Sequence, residues 1–387
     1  MINYENNKII FYKYIGKCRE AIKNLLFDNI EIMNGNVIRI ELVNNGKVGK
    51  YATVADSIKI HRNNMIGVKL NHTIRIVSNV SKISNKLNFN TSFEQLLKLS
   101  ALLHDIARFP QAVNSNTFFD KDCKIFNGDS HAEYGFRMLY INNMFKDFDI
   151  DKKYRFAIAN SVRYHQLPTL TGDLSRRFNN VNQLNVNYLT GNEDLINNEK
   201  VIVAALTQIV KDVDMLDILY QQVTGEFPVI KSYIRVNIGN STIDNICKLY
   251  GVSKSDILIY NNLTEEGLYK VGVVNIPVSN VKLKKLEIPN DIKNKFFNNA
   301  HMDLKELQNR QDYTFITGMW WRLNHFLNNI NFVSNLEILE EKKLLEQIYN
   351  QYPEEYKFLV KDAFEYAHDE LLRKKIEANK GKVYVRK

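Results

Sequence analysis

His104 and Asp105 stand side by side in "ALLHDIARFPQ", at the end of an apolar stripe and just ahead of Pro110. Stepping back by helical spacing from His104 puts Ser100, Leu97 and Phe93 on its face, so residues 93–108 read as an amphipathic helix that turns an ionisable pair inward. A single inward histidine is most often a satisfied core residue. This chain repeats the arrangement. His72 shares a stripe with Ile76, Val80, Ile83 and Leu87, His165 with Tyr154, Ile158 and Ser161, and Asp214 follows Val203, Thr207 and Val210. His131 is placed differently: "SHAE" at 130–133 is a capping box, with Ser130 accepting from first-turn amides and Glu133 reaching back. That puts His131 at the first position of a helix entered from a polar loop at 111–129, with Glu133 near whatever His131 binds.

Leaving so many ionisable groups buried and unpaired would be very costly, so they must share something. A metal cluster is the economical answer. Neutral imidazoles with carboxylates suit Mn, Fe, Co or Zn better than Mg or Ca. Six protein ligands are too many for one catalytic ion that keeps an open position, whereas two ions bridged by a carboxylate fit the count. The expected cofactors are therefore two divalent transition metals, Mn or Fe first, with Zn, Co and Ni as alternatives.

The order His72 … His104-Asp105 … His131 … His165 … Asp214 resembles the HD superfamily of metal-dependent phosphohydrolases, and "HTIRI", "HDIARFPQ", "SHAEYG" and "KDVDMLDIL" resemble its corresponding segments. The resemblance covers about residues 56–232 and the helical region after 279. It implies that His72, His104, Asp105 and Asp214 hold one metal and that Asp105, His131 and His165 hold the second, with Asp105 and a water or hydroxide bridging. "KDVDMLD" offers Asp212, Asp214 and Asp217; Asp214 is chosen for its apolar stripe and "VDML" context, while Asp212, over Gln208, reads as exposed. Ala107 stands where many relatives have glycine. A lone His368-Asp369 pair lacks a ligand set and reads as a surface helix pair. The activity implied is hydrolysis of a nucleotide or other phosphate ester, with Asp105 and Arg108 as catalytic residues. Arg108, one turn past the ligand pair, Arg75 and Arg163 are the candidates for holding phosphate. The same pattern occurs in di-iron oxygenases on this fold, and a sensor or scaffold with a structural metal site is a third reading.

The elements that must position these residues read as mostly α. Only 16 glycines and 6 prolines interrupt 387 residues, which favours long helices. The formal charge of +9 suits an anionic, phosphate-containing partner. Cys18, Cys123 and Cys247 are far apart and read as reduced thiols. No signal-like apolar block opens the chain, and the longest apolar run, around "VIVAAL", is too short for a membrane span, so a cytoplasmic protein without membrane contact is expected. No P-loop or dinucleotide fingerprint appears.

Four segments are expected: a helix/strand segment at 1–55, with a helix around "CREAIKNLLFDNI" and strand-like "NVIRIELVNNGKVGKY"; an HD metal-binding helical bundle at 56–232; an insertion at 233–278; and a helical part at 279–387 packing on the HD domain. In the insertion, "YIRVN" and "VVNIP" read as strands around two short helices, with Gly251 as a stop and Ser253 as a cap. This β-α-α-β unit, through "YGVSKSDILIYNNL" and "VGVVNIP", resembles a LysM module, which implies glycan binding; self-association, and with it a homo-oligomer, is the other expectation. Trp320, Trp321, Leu323 and Phe326 are expected to seal a core over the metal domain, with His325 near enough to reach it. The end, "LLRKKIEANKGKVYVRK", reads as a solvated tail.

Overall fold

The computed structural model describes residues 3–25, 43–44, 47–48, 54–87, 89–115, 118, 120–166, 199–223, 233–237, 242–261, 273–277, 287–308, 310, 315–329, 343–352 and 354–383. The chain divides into two compact units, Met1–Ile30 with Ile38–Asp217, and Glu31–Val37 with Ile218–Lys387.

In the first unit, helix α1 (Tyr4–Lys23) opens where the Asn3 side chain accepts from the Asn6 amide. It buries Phe11, Ile15 and Ile22. The helix expected to begin near Cys18 is thus the end of a longer one, because the Tyr4, Phe11, Ile15 and Cys18 stripe already has helical spacing. Residues 26–30 of that expectation lie outside the described residues. Two short strands, β1 (Val43–Asn44) and β2 (Lys47–Val48), pair antiparallel within the strand-like stretch 36–51, whose other residues lie outside the described residues.

Helix α2 (Val54–Leu87) buries Ile66, His72, Thr73, Ile76, Val80 and Ile83. Helix α3 (Thr91–Leu103) starts at Asn90, whose side chain accepts from the Phe93 amide at 2.8 Å. It stops at Leu103 and does not run on to 108. The next four residues form a tighter turn, with Ile106 N–H donating to Leu103 O at 3.0 Å and Arg108 N–H to Asp105 O at 2.9 Å. A new helix, α4 (Arg108–Asn114), then begins. Pro110 does not break the chain. It sits in the first turn of α4, where a missing N–H costs nothing because no intrahelical acceptor awaits it.

Helix α5 (His131–Phe136) is capped by Ser130, whose hydroxyl accepts from the Glu133 amide at 3.2 Å. Gly135 matters here: a Cβ would meet Val162 Cγ1 at 3.0 Å and Ile106 Cγ2 at 3.5 Å. The missing side chain lets α5 lie close on α6 (Lys152–Tyr164) and on the 104–107 turn. Helix α7 (Glu199–Val223) carries Asp214 and Asp217, which belong to this unit.

In the second unit, β3 (Tyr233–Asn237) and β4 (Val273–Pro277) pair antiparallel, Tyr233 opposite Pro277 and Asn237 opposite Val273. Between them lie α8 (Ile243–Tyr250), ended by Gly251 at φ 65°, and α9 (Lys254–Asn261). Ser253 and Asp256 cap α9 reciprocally, at 3.2 and 3.0 Å. Val236, Ile246, Tyr250, Ile257, Val274 and Ile276 form a core of their own. The helices that follow are α10 (Asn290–Phe297), α11 (Leu304–Gln308), α12 (Phe315–Asn329), α13 (Leu344–Asn350) and α14 (Glu354–Val383). Trp320, Leu323 and Phe326 are buried among them, with Trp320 Nε1 donating to Leu359 O at 3.0 Å and the half-buried Trp321 donating to Met302 O at 2.9 Å. His325 stacks on Trp321 at 5.0 Å. His368 and Asp369 are exposed on α14. No described helix is long and apolar enough to cross a membrane.

Candidate metal centre

Four imidazoles surround the Asp105 carboxylate. They follow one another edge to face, with ring centroids 5.2 Å apart from His72 to His104, 5.3 Å from His104 to His165 and 5.4 Å from His165 to His131. All four are buried, as is Asp105. The elements explain the convergence. His72 lies mid-way along α2, His104 follows the last residue of α3, His131 opens α5 and His165 follows the last residue of α6.

Asp105 divides its two oxygens between the rings. Oδ2 lies 3.7 Å from His72 Nε2 and 3.5 Å from His104 Nε2. Oδ1 lies 3.4 Å from His131 Nε2 and 3.9 Å from His165 Nε2. Two groups could therefore each hold an ion: His72, His104 and Asp105, and Asp105, His131 and His165. Asp214 Oδ1 adds to the first, 3.1 Å from His72 Nε2. Asp217 stands on the other side of the same ring, its Oδ2 2.7 Å from Nδ1. Asp212 is fully buried and accepts from Gln208 Nε2 at 2.8 Å, against the expectation that it is exposed. The reason is that α7 is covered on more of its circumference than one apolar stripe indicates.

The tautomers follow from the acceptors behind each ring. His72 Nδ1 faces Asp217, His131 Nδ1 faces Asp120 Oδ2 at 2.9 Å, His104 Nδ1 faces Ala101 O at 2.8 Å and His165 Nδ1 faces Val162 O at 2.7 Å. A carbonyl only accepts, and so does an ionised carboxylate. Each Nδ1 must therefore carry the proton, leaving the Nε2 lone pair aimed at the centre. Nε2 of His72 and of His104 meet at 3.2 Å, and the buried Asp105 Oδ1 has no hydrogen-bond donor among the described residues. Electron-rich atoms facing one another at such distances require positive charge among them. Ligands about 2.0–2.1 Å from an ion stand about 3.0–3.4 Å from each other, which is close to the spacing here. The donor set fits a divalent transition ion.

The electrostatics agree. Burial pushes the pKa of His104 and of His131 down to about 4, with the Arg108 charge acting in the same sense on His131. Burial also opposes protonation of His72, but Asp214 and Asp217 outweigh it and hold its pKa above the usual value. Burial alone would raise Asp105; Lys69, His104, His131 and Arg108 instead hold it well below the ordinary carboxylate range. Asp120 is brought to about 2 in spite of its burial, by His131 and Arg108.

The arginines expected to hold phosphate are engaged with carboxylates. Arg75 donates from Nε to Asp217 Oδ1 at 2.7 Å and from Nη2 to Oδ2 at 3.0 Å. Arg163 Nε donates to Glu133 at 2.7 Å, and its guanidinium lies over the Phe136 ring. Arg108 Nη1 donates to Gln111 Oε1, Phe118 O and Asp120 Oδ1 at 2.7, 2.7 and 2.6 Å, while its Nε lies 3.7 Å from Asp105 Oδ1. Glu133 thus turns to Arg163, and the carboxylate behind His131 is Asp120. Sequence reading missed Asp120 and also Lys69, whose Nζ donates to Asp105 Oδ2 at 2.7 Å. The signal for Lys69 was there: it lies three residues before His72, one helical turn away.

Residues 70–217 match the family model of the HD domain. Searches of curated proteins and of solved structures found no match. The matched stretch contains all four imidazoles, Asp105, Asp120, Asp214 and Asp217, so the candidate centre lies in the part of the chain that is similar to an HD domain.

Proposed function

We propose that the protein is a metal-dependent phosphohydrolase acting on a nucleotide or another phosphate ester. The observation that carries this is the Asp105 carboxylate, with one oxygen turned to each pair of inward Nε2 atoms. His72, His104, Asp105 and Asp214 would hold one divalent transition ion, and Asp105, His131 and His165 the other. Such ions, when bound, lower the pKa of a coordinated water and neutralise charge on a phosphoryl oxygen.

The chain's own residues would do the rest. The acceptors behind Nδ1 hold all four rings turned, so that in the neutral form each offers Nε2 to the centre. Lys69, about one-fifth exposed and paired with Asp105, would offer positive charge to a phosphate oxygen. Arg163, about one-third exposed and paired with Glu133, is a second source of positive charge.

In the second unit we read β3–α8–α9–β4 as a LysM-like module. Its support is the strand-helix-helix-strand order and the separate core.

The test is hydrolysis of a nucleotide and cyclic-nucleotide panel with added manganese, with Asp105→Ala alongside. Turnover is expected in the wild type, abolished by a chelator and absent in the variant. Bound iron with substrate-dependent oxygen consumption, and no phosphate release, would replace this reading with oxygenase chemistry.

A further inference from the structure

The imidazoles are backed in two different ways. His104 and His165 donate to main-chain carbonyls three residues earlier, Ala101 O and Val162 O. His72 and His131 donate to carboxylates, and each carboxylate is gripped by an arginine. One relay runs His72–Asp217–Arg75, with contacts of 2.7 Å and then 2.7 and 3.0 Å. The other runs His131–Asp120–Arg108, with contacts of 2.9 and 2.6 Å. His72 belongs to the group on Asp105 Oδ2 and His131 to the group on Oδ1. Each half of the centre therefore has one relay and one carbonyl-backed ring.

We propose that Asp120 and Asp217 are positioning residues, one for each half of the centre, and that Arg108 and Arg75 act on it through them and not by touching substrate. The inference rests on the two-ion reading of the cluster. A carboxylate behind an imidazole fixes its tautomer, as a carbonyl does, but it also adds negative charge that makes the far nitrogen a stronger donor to a metal. Asp120 holds His131 twice, because the same Oδ2 that accepts from Nδ1 also accepts the His131 backbone N–H at 3.0 Å. Asp217 is fully buried, and Arg75 offsets the cost of keeping it ionised there. The partners in each relay come from different segments, so the two relays can be broken one at a time.

Selective ¹⁵N-histidine labelling gives eight side chains to resolve. In the metal-free wild type, His72 and His131 are expected to carry the proton on Nδ1. Asp120→Ala removes the acceptor behind His131 Nδ1, while Nε2 still faces Asp105 Oδ1 at 3.4 Å. The His131 proton should then move to Nε2 while His72 is unchanged. Asp217→Ala should do the reverse, since His72 Nε2 faces Asp214 Oδ1 at 3.1 Å. On titration with manganese, each variant should keep one ion at wild-type affinity and bind the other about 10–100-fold more weakly. Asp120→Glu should recover part of the loss, and Arg108→Lys should weaken metal binding with KM unchanged. A tautomer that does not move, or one that moves with both ions held as in the wild type, overturns the proposal. A wild type that binds no ion at all overturns the two-ion reading instead, and the tautomers still decide whether these carboxylates position the rings.

Discussion

Asp105 receives Lys69 on the oxygen that faces His72 and His104, while its other oxygen has no donor among the described residues. Burial of the rings around it gives the site a measurable acid response. His104 and His131 have folded pKa values of about 4 against an ordinary value of 6.5. Between those pH values the unfolded chain takes up protons that the folded chain refuses, so stability falls as pH drops from 6.5 toward 4 and is fully present above 6.5. Each ring contributes roughly 3 kcal/mol at most across that window. His72, whose pKa is raised, works the other way: its contribution is present below 6.5 and lost as pH rises through its folded value. That change lies above pH 6.5, so below it the two lowered rings leave a net loss on acidification. The urea midpoint of chelator-treated protein should therefore drop between pH 6.5 and 4.5, and His104→Asn should flatten the slope. A midpoint independent of pH in this range would show that the rings are solvated and the centre is not preformed.

The elements convert that chemistry into geometry by stopping in the right places. Helix α3 ends one residue before His104, and the tight turn to Arg108 lets Asp105 point inward beside it. Helix α4 is held from behind by α1, where the fully buried Phe11 packs edge to face on Phe109 at 5.6 Å. Phe11→Ala should cost about 3–5 kcal/mol of stability, read from the urea transition by circular dichroism. Metal affinity should fall with it, because Arg108, which anchors Asp120, opens α4. A stability loss under about 1 kcal/mol would mean that α1 is peripheral to this core. His72, His104 and His165 were legible in the sequence because each lies on an apolar stripe whose period is local, and His131 because Ser130 and Glu133 mark a helix start around it. Asp120 was not, since it lies in a short turn, Asp120–Asp122, that has no period to read, and its partners Arg108 and His131 lie 12 and 11 residues away. Helix α1 was hidden for a related reason. Its apolar and other positions are evenly mixed, and its buried face meets its partner Phe109 98 residues beyond Phe11.

At the scale of the molecule, every ligand-type residue of the centre belongs to the first unit, while the β3–α8–α9–β4 module has a separate apolar core in the second. A ligand that binds only the folded state stabilises it by about 2.7 kcal/mol at a hundred times its dissociation constant. That stabilisation reaches only those amides whose exchange requires an opening that breaks the site. Manganese should therefore slow hydrogen exchange by about 100-fold in peptides covering His72 on α2, the 104–108 turn, the start of α5, the end of α6 and Asp214 on α7. Peptides from β3, β4, α8 and α9 should exchange at the same rate with and without metal. Exchange mass spectrometry at matched pH, with a chelator control, reads both groups in one experiment. Protection confined to the first group would tie the ion to the cluster around Asp105 without recourse to any assay of turnover. Protection spread evenly over both units, or absent from the 104–108 turn, would remove the physical basis for placing metal chemistry there.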